Sequence, residues 1–415
     1  MLTSAPVLRV WAPQQGKPFA FEGHPNPYLS LLFPYALQQP VLFESIVALC
    51  RVSWLLENGI DTTQDRAFLY HHGSTRDGLQ KRLSSDDTAA DDTTLLTVAA
   101  LSTIDYSLGR HITADMYLRN MRHIVERRGG LRYESPWQVF VSSMIAAFES
   151  LWTFILANHP QPGPELPPLP SQSYLSNEIP VYANHPFPPE YTLALAKVPK
   201  AFSELAVSGV LSMQVIRIIG RIPPEIMIPQ VPTGLDQTSI LYKVLTDLLR
   251  LVTLAVMKME HVLCAALIAF SVPLTYGIPL PESITPTLKI CVDTYMSHLP
   301  HADEMDRNCT IWCAMVIASA VEMSSHNSDL YKGVFDQALS KYREAREWKS
   351  LERILRQFLW HDDLVRYWQL TTWKGAMDRR LTAMSSASSS PPAQSRDGRT
   401  PPSRRRAIPI DSILN

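Results

Sequence analysis

Residues 236–251 read DQTSILYKVLTDLLRL, and this stretch decides the fold class because its large apolar residues recur every three or four positions. Two neighbouring rows of them run along it, Ile240, Val244 and Leu248 in the first and Leu241, Leu245 and Leu249 in the second. That spacing matches the 3.6-residue period of an α-helix and places the apolar side chains on one face. The stretch is therefore predicted to be an amphipathic helix packed on a core.

The same period recurs elsewhere in the chain. One stripe begins near Thr113, a candidate N-cap, and ends at Arg127-Arg128-Gly129, where the arginines suit the negative end of the helix dipole and Gly129 can take a left-handed terminating conformation. Another stripe comprises Leu351, Ile354, Leu355, Phe358 and Leu359. Strand-like alternation of useful length is missing. We expect an all-α, irregular multi-helix fold of about ten to twelve helices.

The composition limits the classes of function. Hydrophobic residues make up 46% of the 415 and charged residues 19%, so a sizeable core can form and wholesale disorder is excluded. The 38 Lys and Arg nearly balance the 39 Asp and Glu, whereas a dedicated nucleic-acid binder usually carries a basic excess. Five irregularly spaced cysteines do not form a disulfide framework.

The start of the chain and its apolar runs bear on its compartment. No secretory signal is visible in the first residues. The longest apolar runs, 262–274 and 310–321, are shorter than the ~20 residues that span a bilayer. We expect these runs to be buried core helices and the protein to be soluble.

Composition also divides the chain. Ten of the thirty residues 160–189 are proline, which predicts a long irregular connection inside a helical domain at 20–384, after an N-terminal extension at 1–19. Residues 385–415 consist largely of Ser, Pro and Arg and are predicted to be a disordered tail. The tail's five arginines and two aspartates give it a charge of +3. Since the whole chain carries −1, residues 1–384 carry −4.

The predicted tail carries candidate signals. Arg404, Arg405 and Arg406 fit a basic nuclear-import signal, and Ser390 and Thr400, each followed by proline, fit proline-directed phosphorylation. A solvated segment without function is an equal alternative, because such assignments are compositional.

The pairs Asp86-Asp87 and Asp91-Asp92 resemble the carboxylates with which all-α isoprenoid synthases hold magnesium and diphosphate. Their surroundings, SSDDTAADDTT at residues 84–94, are too poor in apolar residues for a helix that lines a cavity. An N-cap at Asp92 or Thr93 for the following helix is the favoured interpretation.

Two further groups could bind metal. His361-Asp362-Asp363 is similar to the metal-binding dyad of helical phosphohydrolases, with His71-His72 as conceivable partners, but Asp362 or Asp363 as a helix N-cap is favoured. Cys309 and Cys313 share a helix face, and Cys291 or His301 could join them on zinc. Their apolar neighbours favour packing in the core.

Nucleotide-binding and hydrolase motifs do not occur in the sequence, neither Gly-x-Ser-x-Gly nor Gly-x-Gly-x-x-Gly, Walker A or His-Glu-x-x-His. We therefore expect no catalytic residues, no metal ligands and no bound cofactor. The protein is not expected to be an enzyme.

A family resemblance emerges once the helices are placed. NPYLSLLFPYA at residues 26–36, followed by a helix over 41–56, resembles the opening of the fungal-specific transcription factor domain. A helix over 71–83 and one ending in Arg-Arg-Gly-Gly-Leu at 127–131 are similar to the next parts of that family. The segments around Trp312, 348–360 and Trp373 look like its closing helices. The likeness spans about residues 20–377.

The resemblance implies a helical domain that dimerises, regulates activity and contacts co-regulators in a fungal nucleus. Five scattered cysteines cannot build the six-cysteine zinc cluster with which such regulators read DNA. The sequence therefore predicts a nuclear transcription regulator, with shuttling to the cytoplasm as an alternative to permanent nuclear residence. It is predicted to act as a homodimer or as a heterodimer with a DNA-binding regulator. It predicts no sequence-specific DNA contact and no membrane contact of its own. A helical scaffold or ligand-binding module outside transcription is the alternative, and an enzyme of diphosphate substrates is a weaker one.

Overall fold

A computed structural model gives the fold. It describes residues 16–158, 180–182, 187–222, 236–254, 256–278, 280, 284–298, 306–324 and 333–388. The chain divides into two compact units, Met1–Met377 and Asp378–Asn415, and the sites discussed below lie in the first.

The described residues form sixteen α-helices of six residues or more and no named strand, which confirms the all-α prediction with more helices than expected. They are α1 Pro40–Glu57, α2 Arg66–Leu83, α3 Asp92–Ser107, α4 His111–Arg127, α5 Pro136–Asn158, α6 Pro189–Leu195, α7 Lys200–Val207, α8 Met213–Ile219, α9 Asp236–Leu251, α10 Lys258–Tyr276, α11 Thr285–His298, α12 Arg307–Glu322, α13 Gly333–Lys341, α14 Trp348–Leu355, α15 Asp362–Tyr367 and α16 Lys374–Ser388. Short helical turns, Tyr28–Leu32 and Phe33–Ala36, precede α1.

The centre of the core is α10. Fifteen of its 19 residues are buried, and it packs against α9, α11 and α12. The opening stretch 236–251 folds as α9 with its second row fully buried, as its period predicts. α9 also packs against α5, so it joins the earlier helices of the chain to the later ones.

Helices α5 and α10 are long and apolar enough, by length and composition, to cross a membrane. In α5, 67% of the apolar window is buried inside the protein, and in α10 83% is. A helix buried in this way against its neighbours is a core helix, as predicted for residues 262–274.

Helix ends differ from some predictions. α4 begins at His111 with Arg110 as N-cap, so the prediction of Thr113 is wrong. Gly129 does take the expected left-handed backbone, with φ of 78°. α14 ends at Leu355, sooner than the stripe to Leu359 predicts, because the chain turns there through a hydrogen bond from Phe358 N to the Leu355 carbonyl oxygen.

Candidate functional site

The acidic segment before α3 is structural. Asp91 is the N-cap of α3, accepting a hydrogen bond from Thr94 N at 2.8 Å, and it also pairs with Arg82. A cap is thus confirmed, but the predicted residues Asp92 and Thr93 are wrong by one and two positions. The carboxylate of Asp91 satisfies an N–H group that the first turn of the helix leaves without a partner.

Asp92 holds three elements together. Its Oδ2 accepts a hydrogen bond from Trp137 Nε1 at 2.7 Å, and its Oδ1 lies 2.7 Å from a guanidinium nitrogen of Arg128. These contacts join the start of α3 to the end of α4 and the start of α5.

Asp86 and Asp87 lie on the surface. Both are exposed, and Asp86 makes a long contact of 3.5 Å with Arg127. Two carboxylates are therefore engaged in capping and ion pairs and two are solvated. This arrangement does not present four carboxylates along one face of a cavity-lining helix, as a magnesium–diphosphate site requires.

The histidine candidates lie in separate environments. His71 contacts Glu44 Oε2 at 2.5 Å, and buried His72 lies 3.8 Å from Asp105. Burial lowers the pKa of His72 below its usual value, against the opposing effect of Asp105.

The N-cap of α15 is His361, not Asp362 or Asp363, so that prediction is wrong. Both aspartates instead occupy the first turn, where the helix dipole favours negative charge, and Asp362 accepts a hydrogen bond from Trp360 Nε1 at 2.9 Å. Burial lowers the pKa of His361.

All five cysteines are buried and free. The sulfurs of Cys309 and Cys313 lie 4.0 Å apart, inside the apolar body of α12. Burial raises the pKa of both Cys309 and Cys291, which disfavours the thiolate that zinc would bind. His301 lies outside the described residues. Across the described part of the chain, no group of three or more His, Cys, Asp or Glu is arranged to hold a metal ion.

A cavity of about 460 Å³ lies between helices of the core. Residues of α1, α3 and α5 line it together with residues of α9, α10 and the start of α11. The lining is mainly aromatic and aliphatic, and its large rings are Phe19, Tyr28, Tyr106, Phe148, Trp152, Tyr242 and Tyr276.

The polar groups of this cavity are mostly hydroxyls. The hydroxyls of Tyr242 and Tyr276 are hydrogen-bonded to each other, and that of Tyr28 contacts Met144 Sδ at 3.7 Å. Burial raises the pKa of all three tyrosines above its usual value. Sequence reasoning did not identify this lining.

The signals predicted in the tail cannot be placed in the fold. Arg404, Arg405, Arg406, Ser390 and Thr400 all lie outside the described residues.

Comparison with known proteins gives one match. The family model of the fungal specific transcription factor domain matches residues 13–178. No curated protein and no solved structure matches the chain significantly. The matched segment includes the motifs at 26–36 and 127–131 and extends past the end of α5 to residue 178. The resemblance of the later helices stays a prediction. Residues 13–178 of the chain are thus similar to the fungal specific transcription factor domain family.

Proposed function

We propose that this protein regulates transcription through contacts with other proteins. The observation that carries the proposal is the family match at residues 13–178, since the family is a transcription factor domain. A regulatory role in transcription follows from the family, and the mechanism through protein contacts is our extension of it.

The structure supports a regulatory domain over an enzyme. Of the aspartates that a diphosphate enzyme would direct into its cavity, Asp91 caps α3 and pairs with Arg82, and Asp92 pairs with Arg128. The other two, Asp86 and Asp87, are exposed on the surface. The cavity of about 460 Å³ is lined mainly by aromatic and aliphatic residues. We therefore propose a protein without catalytic activity.

Charge supports recruitment to DNA by a partner. Residues 1–384 carry a formal charge of −4, which opposes binding to the phosphate backbone. The five cysteines of the sequence are all in the helical core. We propose a homodimer, or a heterodimer with a DNA-binding regulator, that also contacts co-regulators.

We propose that the protein resides in the nucleus and that Arg404, Arg405 and Arg406 direct its import. Phosphorylation of Ser390 or Thr400 would offset the positive charge of the tail and oppose import. This part of the proposal rests on composition and on the family.

Chromatin immunoprecipitation of the natively expressed, tagged chain tests the proposal. We expect discrete promoter peaks for the full chain and their loss on truncation at Ala383 through loss of nuclear entry. A full-length variant with Arg404, Arg405 and Arg406 changed to Ala separates the basic run from the rest of the tail. A cytoplasmic full chain without peaks would contradict the proposal, as would specific DNA binding by the isolated body.

A second candidate function is a ligand-binding module outside transcription. The cavity beside Trp152 favours it, because its volume is typical of small-molecule sites. An unchanged transcriptome after deletion of the gene, together with cytoplasmic residence, would favour this candidate over the first.

A further inference from the structure

The cavity beside Trp152 has the position and size of a ligand site. Its volume of about 460 Å³ falls within the range of roughly 300–1,000 Å³ that small organic ligands occupy. Its walls come from the family-matched helices α1, α3 and α5 and from the later helices α9, α10 and α11. A molecule in this cavity would contact both parts of the helical body.

Trp152 supplies an unused hydrogen-bond donor. Its side chain is only 4% exposed, and its Nε1 is buried without a hydrogen-bond partner among the described residues. Buried N–H groups in native structures are nearly always paired, because leaving one without an acceptor costs free energy. Since Trp152 lines the cavity, the missing acceptor can be supplied from within it.

Aromatic rings define the shape of the site. The ring of Tyr106 packs edge-on against Trp152 with centroids 4.3 Å apart. The rings of Phe19 and Tyr242, which also line the cavity, have centroids 4.6 Å apart. Walls of this kind favour a flat ring system, which can stack on some rings and meet the edges of others.

The charges of the lining favour a neutral molecule. Among the described residues that line the cavity, the charged ones are Glu57 and Lys289, both exposed at its rim. Their opposite charges give no net preference for an anion or a cation. The interior offers hydroxyls and the Trp152 N–H, which bind a neutral oxygen acceptor without the desolvation cost of an ion.

We propose that this cavity binds a neutral, flat aromatic molecule whose carbonyl oxygen accepts a hydrogen bond from Trp152 Nε1. The bound molecule adds contacts between the family-matched helices and the later ones. It therefore stabilises their packing.

Titration of the purified full chain with xanthone and xanthene tests the proposal. Both are flat three-ring molecules, but only xanthone carries a carbonyl oxygen. We expect xanthone to bind with one-to-one stoichiometry by calorimetry and to raise the melting temperature. Xanthene is expected to bind about tenfold more weakly, the effect of one lost hydrogen bond.

Substitutions then assign the binding to this cavity. Trp152→Phe keeps an aromatic ring but removes the N–H, and we expect it to weaken xanthone about tenfold while leaving xanthene nearly unchanged. Ala147→Phe fills the cavity and is expected to abolish binding of both; Ser107→Phe, at a half-buried lining position, is a second block if Ala147→Phe does not fold. The matched control is Trp54→Phe, because Trp54 packs under the guanidinium of Arg51 and does not line the cavity.

Three outcomes would overturn the proposal. The first is no saturable binding of xanthone to the folded wild-type chain, which is expected if only water occupies the cavity. The second is binding that persists in the folded cavity-filled variants, which would place it elsewhere. In the third, Trp152→Phe weakens xanthone and xanthene equally, which would exclude the carbonyl hydrogen bond.

Discussion

Trp137 donates a hydrogen bond from its indole Nε1 to Asp92 Oδ2 at 2.7 Å, which joins the first turn of α5 to the first turn of α3. Arg128, at the end of α4, pairs with the other oxygen of the same carboxylate. An aspartate that resembles a metal ligand in the sequence therefore serves to fasten three consecutive helices inside the family-matched segment.

Replacement of Asp92 by Ala is expected to destabilise the protein by about 1–3 kcal/mol, because Trp137 loses its acceptor and Arg128 its counter-ion. Asp92→Asn, which keeps an acceptor but no charge, should cost less. Asp87→Ala, at an exposed position, is the control and should change stability by less than about 0.5 kcal/mol. Denaturant unfolding measures all three, and equal effects at Asp92 and Asp87 would contradict the structural role.

Arg122 and Glu149 form a buried ion pair between α4 and α5, with 2.9 Å between Arg122 Nε and Glu149 Oε1. Arg122 also donates to Thr153 at 2.8 Å. Glu149→Ala leaves the guanidinium buried without its carboxylate, and we expect a loss of about 3–5 kcal/mol in the free energy of unfolding.

Joint replacement of Arg122 and Glu149 by Met should cost clearly less than the sum of the two single changes, since no unpaired charge remains. The exposed pair of Lys200 and Glu204 is the matched control, and breaking it should cost less than about 1 kcal/mol. Additive effects at Arg122 and Glu149 in a double-mutant cycle would refute the coupling.

Glu260 predicts a pH dependence of stability. Burial raises the pKa of its carboxyl, and hydrogen bonds from Ser212 and Tyr182 partly oppose the shift. Since the folded pKa lies above the unfolded one, the folded state binds the proton more tightly. The stabilising contribution of the protonated form is therefore complete below the unfolded pKa of about 4.5 and is lost as the pH rises through the folded pKa.

Glu260→Gln removes this titration, so the variant should gain stability relative to the wild type as the pH rises from 4.5. Ser212→Ala removes the hydroxyl that donates to Glu260 Oε1 at 2.5 Å and should move the transition to higher pH. Thermal melts in steps of pH provide the measurement. If the stability of Glu260→Gln instead falls relative to that of the wild type as the pH rises, the pKa of Glu260 is lowered in the folded state.

Local periodicity predicted the helices well, because the apolar stripe of α9 and the left-handed Gly129 depend on neighbours in the sequence. Caps were predicted less well: several residues in TAADDTT can begin a helix, and tertiary contacts of Asp92 with Trp137 and Arg128 decide which one caps. The cavity was not predictable in this way, since Trp152 and Tyr276 come to line one cavity only when helices distant in the sequence pack together.

Gly78 allows α2 to approach α1 closely. A Cβ atom at this position would lie 2.5 Å from Cγ2 of Val41, whose branched side chain has little freedom to move. Glycine inside a helix normally costs up to about 1 kcal/mol relative to alanine, so a Gly→Ala change is stabilising where space allows. At Gly78, however, the contact with Val41 would force the two helices apart.

We therefore expect Gly78→Ala to destabilise the protein by about 1–3 kcal/mol, the range for overpacked cores. Gly73 lies in the same helix with nothing within 4 Å of an added Cβ, so Gly73→Ala is a matched control and should stabilise by about 0.5–1 kcal/mol. Val41→Ala, combined with Gly78→Ala, should recover part of the loss by removing the clashing methyl groups. Denaturant unfolding of the three variants measures these changes, and stabilisation by both single glycine changes would mean that α1 and α2 do not pack as closely as the structure shows.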